Sequence, residues 1–162
     1  MWAVVLTIPI MFVIITLFGY ALHKAFHQKW MGRYYKSHMV HHLKLYPIKD
    51  FTSAVYRSPG KDNTAVFFFV AGLPIIVAPL VLFALHVIGW SILLTAIICM
   101  AVFGGAHNYL HDAFHITNHW LNRFSWFRKM IALHKVHHKN MQRNMGIYWF
   151  GFDRMFGTFK RK

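Results

Sequence analysis

From Ala65 to His111 the chain contains no Asp, Glu, Lys or Arg, and Met1 to Tyr20 is equally free of charge. A stretch of about 20 apolar residues is what one α-helix needs to cross the hydrocarbon core of a bilayer. Trp2 to Tyr20 supplies one such length. The apolar run over residues 65–106 is too long for one crossing and right for two, at about 65–85 and 88–106. The break falls near His86–Trp90, where His86, Gly89 and Trp90 interrupt the aliphatic residues. Pro74 and Pro79 should bend the second helix. In lipid, only helices and closed barrels satisfy every backbone polar group. The expectation is an all-α integral membrane protein of about three transmembrane helices, one plus a hairpin, in a single domain over residues 1–162.

Composition enters through the distribution of charge. The chain is 57 % hydrophobic yet carries a net charge of +14 in 162 residues. All 18 Lys and Arg fall between Lys24 and Lys61 or between Arg123 and Lys162. A nucleic-acid binder would interleave basic residues with a polar fold, so no nucleic-acid partner is expected. Lys24, Lys29 and Arg33 follow the first span directly, which puts its C-terminal end in the cytoplasm. With the N-terminus external, three crossings leave residues 21–64 and 107–162 as a cytoplasmic helical cap. Other span counts would split the histidines between the two sides. The first span lacks a basic leader and a small-x-small cleavage site, so it reads as an anchor rather than a signal peptide. Cys99 is the sole cysteine, which excludes disulfides and iron–sulfur clusters.

Outside the spans the chain is organised by histidine. Of 13 histidines, all but His86 lie in or beside four clusters. These read His23-x-x-x-His27, His38-x-x-His41-His42, His107-x-x-x-His111-x-x-x-His115 and His134-x-x-His137-His138. Residues three and four apart share a helix face, and neutral imidazole suits zinc, copper, iron and nickel. There are four Asp and no Glu. A zincin needs the Glu of His-Glu-x-x-His, and a ferritin-type di-iron bundle needs several Glu ligands. Any metal centre here must be built almost wholly from histidine. Asp112, Asn144 and Asp153 are the candidates for fixing imidazole tautomers. Asp153 alternatively pairs with Arg154 or caps a turn. His119 reads as a neighbour of the site or a surface residue, and His86 as interfacial.

The connecting segments are less constrained. The helix that carries the second cluster should stop near Pro47. Tyr46 to Arg57 then forms an aromatic and polar loop at the edge of the site, closed by a turn at Ser58-Pro59-Gly60. Residues 116–130 mix Trp120, Phe124, Trp126 and Phe127 with Arg123, Arg128 and Lys129. Two readings stand: a helix lying in the membrane interface, or an amphipathic helix packed on protein.

The order of the four histidine clusters resembles the fatty acid hydroxylase and sterol desaturase superfamily of membrane oxygenases. Asn144-Met145-Gly146 and Asp153-Arg154-Met155-Phe156-Gly157-Thr158 are similar to the ending of those proteins. The loop from His42 through Tyr46-Pro47, Asp50-Phe51, Tyr56-Arg57 and Gly60 is similar too. The likeness covers about residues 20–160. It implies two metal ions, iron in the active enzyme and zinc as a substitute on purification, bound by eight to ten histidines. It carries over His23, His27, His38, His41, His42, His134, His137 and His138 as ligands. In the third cluster, fatty-acid 2-hydroxylases match His107 with His111, whereas carotenoid hydroxylases look more like His111-Asp112…His115. The implied activity is O2-dependent hydroxylation or desaturation of a lipid-like substrate in the membrane. Two external electrons are needed per turnover. The sequence has no dinucleotide, Cys-x-x-Cys or haem-attachment motif, so a ferredoxin, a cytochrome b5-like protein or a reductase must supply them. The alternative is a metal-binding membrane protein without oxygenase activity, either an inactive paralogue or a storage or transport protein. A transporter should carry ionisable residues inside its spans, and these spans have no acidic or basic side chain.

Overall fold

The computed structural model describes residues 2–58 and 64–161. It is helical, with no strand among the described residues and one isolated bridge, between Ser53 and Ile116. Apart from Ser58, the expected turn at Ser58-Pro59-Gly60 lies outside the described residues.

Helix α1 covers Trp2–Phe26, six residues beyond the uncharged stretch. Nothing after Tyr20 breaks a helix, so its last turn carries His23 and Lys24 out of the apolar zone. A loop and a short 3₁₀ turn, Lys29–Met31, lead into α2, Arg33–Val40. The α-helix then opens into a π-turn over His41–Leu45, which ends before Pro47 as expected.

The hairpin is built from α3, Thr64–Ala71, α4, Leu73–Ala84, and α5, Trp90–Cys99. Pro74 sits in the first turn of α4, where its missing N–H is no loss, so the chain breaks at Gly72 rather than bending at the proline. The α4–α5 connection contains His86 with φ 58°, exposed at the turn. Helix α5 runs through a π-segment, Met100–Gly104, into α6, Gly105–Ala113. Three rods are long and apolar enough to cross a membrane: Trp2–Phe26, Val66–Ala84 and Trp90–Ala113. The third outruns the expected end near residue 106, so His107 and His111 ride on the spanning rod itself.

The interior of the bundle is where α1 meets the hairpin. Met11, Ile15, Leu22 and Phe26 pack with Phe68, Ala96, Cys99 and Met100. On the outside, Val5, Leu6 and Ile10 of α1 and Val77, Val81 and Leu85 of the hairpin stay exposed. Helix α4 buries no residue at all. In water such a surface would drive association; against lipid tails it is the expected exterior. The chain is an integral membrane protein.

Beyond the spans lie α7, Ser125–Lys139, and α8, Gly151–Met155. A second core of Ala113, Phe114, Leu121, Phe127 and Ile147 joins α6 to α7. Residues 116–130 are not one helix, contrary to both expectations. They fold as the Ser53–Ile116 bridge, a 3₁₀ turn at Trp120–Arg123 and the start of α7. The reason is local: His119 Nδ1 accepts the Leu121 N–H at 3.3 Å and caps the turn. Phe127 points into the protein, while Trp120, Phe124 and Trp126 face outward.

Candidate metal centre

The histidine clusters converge from five segments. The ends of α1 and α6, the α2 π-turn, the residue just past α6 and the end of α7 all meet in one place. Two compact groups result. His23, His27, His38, His42 and His137 form the first, and His41, His115, His134 and His138 the second; within each, the donor nitrogens lie within 4.8 Å of one another. Both groups are buried except for the partly exposed His27.

Helix periodicity explains how ligands are shared out. In His38-x-x-His41-His42, the i, i+4 pair His38 and His42 turns to the first group, and His41, next to His42 on the same turn, faces the second. The last cluster does the reverse. His134 and His138 enter the second group, and His137 crosses to the first. The two His-x-x-His-His segments thus interlock, and the rings of His42 and His138 lie 4.1 Å apart across the boundary.

The spacing suits metal. In the first group the Nε2 atoms of His27, His137, His42 and His38 form a closed four-membered ring. Its edges are 3.2, 3.2, 3.1 and 3.1 Å. Imidazole–metal bonds of about 2.0–2.1 Å require neighbouring donors roughly 3 Å apart. In the second group, His134 and His115 approach through Nε2 at 3.2 Å. His23 Nε2, His41 Nε2 and His138 Nε2 are buried with no hydrogen-bond partner. Lone pairs crowded together in this way repel unless a cation lies among them, so the donor set fits a metal ion in each group.

Electrostatics keeps the ligands ready. Burial pushes the pKa of His27 down to about 4, and burial opposed by the Tyr46 carbonyl leaves His138 at about 3. Burial first, and neighbouring imidazoles second, hold His38, His41, His42, His115 and His134 well below the ordinary range. His137 is lowered by burial and then by His27. All are neutral at pH 7, the form that binds metal.

Backbone carbonyls set the tautomers. The Nδ1–H groups donate to Met145 O from His23 (2.7 Å), Phe51 O from His115 (2.9 Å), Arg143 O from His137 (2.7 Å) and Tyr46 O from His138 (2.8 Å). Each bond leaves Nε2 as the inward donor. The expected residues stand elsewhere. Asn144 donates to Leu133 O and Lys160 O and accepts from Lys160 N, fastening the C-terminal segment to α7. Asp153 accepts from Met145 N, Gly146 N and the Thr158 hydroxyl at 2.7–2.8 Å. It caps a turn rather than pairing with Arg154, which stacks on Phe159. Among the described residues neither side chain bonds a histidine. Asp112 does: its carboxylate accepts from His111 Nδ1 at 3.4 Å, and the Tyr56 hydroxyl bonds to it as well.

The third cluster resolves into three different environments. His115 belongs to the second group. His111 flanks it, with ring centres 4.9 Å from His41 and 5.0 Å from His134, and 6.2 Å from His23 in the first group. His107 stands apart, stacked 4.7 Å from Phe68 against α1. The structure brings nine expected ligands into the two groups, sets His111 beside them and leaves His107 outside. Helix rotation is the cause, because His107 and His111 lie on the bundle side of α6 while His115 follows its last turn. His119 points away and bonds Tyr109.

The loop at the edge of the site proves to be its cover. Tyr46 is fully buried, stacks 4.1 Å from His115 and takes the Arg57 N–H on its hydroxyl. Phe51 lies 4.7 Å from His115 and 5.0 Å from His138. Arg57, bonded to Leu45 O and Asp50, closes the loop. The work of Tyr46, Phe51, Arg143 and Met145 through their carbonyls leaves no trace in residue type. A cavity of about 30 Å³ lies between α1, α3 and α6 and is lined by His23, His38 and His111 of the site.

Fold and site together define a helical membrane protein with two buried histidine groups able to hold metal. The fatty acid hydroxylase family model matches residues 8–158, and the chain belongs to that family. No curated protein and no solved structure matches it.

Proposed function

We propose that the chain is an O2-dependent oxidoreductase that hydroxylates or desaturates a lipid-like substrate at a two-iron centre. The observation that carries this reading is the pair of interlocked, wholly histidine donor groups at the ends of spanning helices. Family membership supports it. The first ion would be held by His23, His27, His38, His42 and His137. The second would be held by His41, His115, His134 and His138, with His111 beside it. Iron so bound supplies redox chemistry toward O2.

The chain's own residues do the rest. The Met145, Phe51, Arg143 and Tyr46 carbonyls hold four imidazoles in register. Tyr46 and Phe51 cover the second group and keep water away from it. The cavity between α1, α3 and α6, with room for about one water, marks where an apolar chain would have to enter from the membrane. The electrons come from a separate ferredoxin, cytochrome b5-like protein or reductase, and the basic residues around the site suit an acidic carrier. Lys24, Lys29 and Arg33 favour an external N-terminus with site and C-terminus in the cytoplasm.

The test joins metal analysis with lipid profiling. Protein purified after growth in iron should hold close to two metal ions per chain, iron or substituting zinc. Cells expressing it should gain an oxidised or desaturated lipid that cells expressing His41→Ala/His42→Ala lack. Two metals without a lipid change would favour a binding protein without oxygenase activity, and one metal or none would refute the centre.

A further inference from the structure

A second, open cleft of about 400 Å³ lies where Thr52, Ile116 and Thr117 meet the start of α7. Asn122, Arg128 and Ile131 complete its lining, and no residue of either histidine group takes part. Its size suits a small organic group. Ile116 and Ile131 give it an apolar wall. Its polar side chains are donors or can act as donors. Asn122 turns Nδ2 to Thr117 O at 2.7 Å, and its Oδ1 is buried out of solvent reach.

Arg128 is fixed in this cleft but not used up. Its Nη1 donates to Asn122 O at 2.8 Å and to Arg123 O at 2.9 Å. A guanidinium has five N–H donors and no acceptor. Among the described residues Nη2 and Nε bond nothing, and the Thr52 and Thr117 hydroxyls have no partner either. Asp50, Asp112 and Asp153 are engaged elsewhere, with Arg57, His111 and the Met145–Gly146 turn. An oriented, unpaired guanidinium beside two hydroxyls is a donor set for a tetrahedral oxyanion.

The place of the cleft names the source of that anion. Trp120 Nε1 donates to the Tyr109 hydroxyl at 2.9 Å. Tyr109 stands near the end of the spanning rod Trp90–Ala113. The 3₁₀ turn Trp120–Arg123, which holds Arg128 through two carbonyls, is therefore tied to the edge of the membrane. Trp120, Phe124 and Trp126 are exposed around it. The Arg123 guanidinium lies 5.2 Å over the Trp120 ring and 4.8 Å over the Phe124 ring. Outward Trp with Arg is the composition of the headgroup level of a bilayer, and the anions at that level are lipid phosphates.

We infer that the Arg128 cleft binds the phosphate of a membrane phospholipid. Arg128 meets the phosphate oxygens through Nη2 and Nε, Thr52 and Thr117 add hydroxyl donors, and Ile116 and Ile131 face the lipid's apolar part. The site is separate from both histidine groups, so it stands whether or not the metal centre oxidises a lipid.

The test is native mass spectrometry of detergent-solubilised protein incubated with phosphatidylglycerol or with diacylglycerol of the same chains, which lacks the phosphate. The wild type should retain phosphatidylglycerol and release diacylglycerol. Arg128→Gln should lower that retention about tenfold, the least that losing a hydrogen bond to a charged group costs. Arg154→Gln removes the same charge from α8 and should leave retention unchanged. Thr52→Val/Thr117→Val leaves the arginine's bonds to the 3₁₀ turn intact and should weaken retention several-fold, which keeps the test decisive where Arg128→Gln misfolds. Inorganic phosphate should not displace the lipid. Equal retention of both lipids, equal loss in Arg154→Gln, full retention in the threonine variant, or displacement by inorganic phosphate would each overturn the inference.

Discussion

Asp153 and His23 do not touch, yet the carboxylate fixes where the imidazole points. Asp153 accepts the Met145 N–H at 2.7 Å, and the carbonyl of the same residue accepts His23 Nδ1–H at 2.7 Å. The Asn-x-Gly and Asp-x-x-Phe-Gly-Thr segments meet at this link. Asn144 takes φ 52°, which Asn tolerates, and starts the turn. Gly146 is bare because a Cβ would meet Asp153 Oδ2 at 2.8 Å.

Asp153→Asn should therefore weaken both the fold and the first histidine group. The carboxylate accepts three bonds, and an amide turns a donor toward groups that already donate. An unmet buried donor costs about 1–3 kcal/mol. The expected outcome is a lower melting temperature with reduced metal content. A variant with full metal occupancy and unchanged melting would break the link between Asp153 and His23.

Much of this is legible in the sequence. The charge-free runs marked three spans because a bilayer penalises charge regardless of tertiary detail. Spacing of three and four marked the ligand segments because helix geometry is local. How the ligands divide was not legible: His41 and His42 are neighbours in sequence yet belong to different groups, which depends on the α2 π-turn and on what packs across from it. The roles of Asn144 and Asp153 were hidden for another reason. Polar side chains stand out in a sequence, whereas the four carbonyls that orient His23, His115, His137 and His138 belong to residues of unrelated type.

Orientation in the membrane is open to direct measurement. A reporter fused after Lys162 should behave as cytoplasmic and one placed before Trp2 as external. Both reporters on one side would contradict three crossings.

Acid should destabilise the metal-free protein. Burial holds His27 near 4 and His138 near 3, below the ordinary 6.5 that they regain on unfolding. Between pH 6.5 and about 4 the unfolded chain binds more protons than the folded one, so stability falls as pH falls. It is fully present above 6.5. Melting of the metal-free protein should drop steadily from pH 7 to pH 5. Zinc-loaded protein should hold its melting temperature further into acid, because the ion keeps its ligands neutral. A flat profile for the metal-free form would mean that these histidines are not buried as described.

The third cluster gives the sharpest contrast, because its three histidines and His119 are evenly spaced in sequence and unlike in surroundings. His115 is fully buried, holds Phe51 O through Nδ1 and faces His134 through Nε2. His115→Ala should cost one metal ion and all activity, as His134→Ala should. His111 lies beside both groups with a weaker tether, the 3.4 Å contact to Asp112. His111→Ala should abolish turnover and lower metal affinity, within the 10–100-fold range typical of residues that support a metal site. His119 caps a 3₁₀ turn and bonds Tyr109, remote from either group. His119→Ala should keep both metals and most turnover, losing about 1 kcal/mol of stability at most through the cap. Metal content and product formation, measured on membrane-inserted protein, separate the three. If His119→Ala loses metal while His115→Ala keeps it, the division of ligands between the groups is wrong.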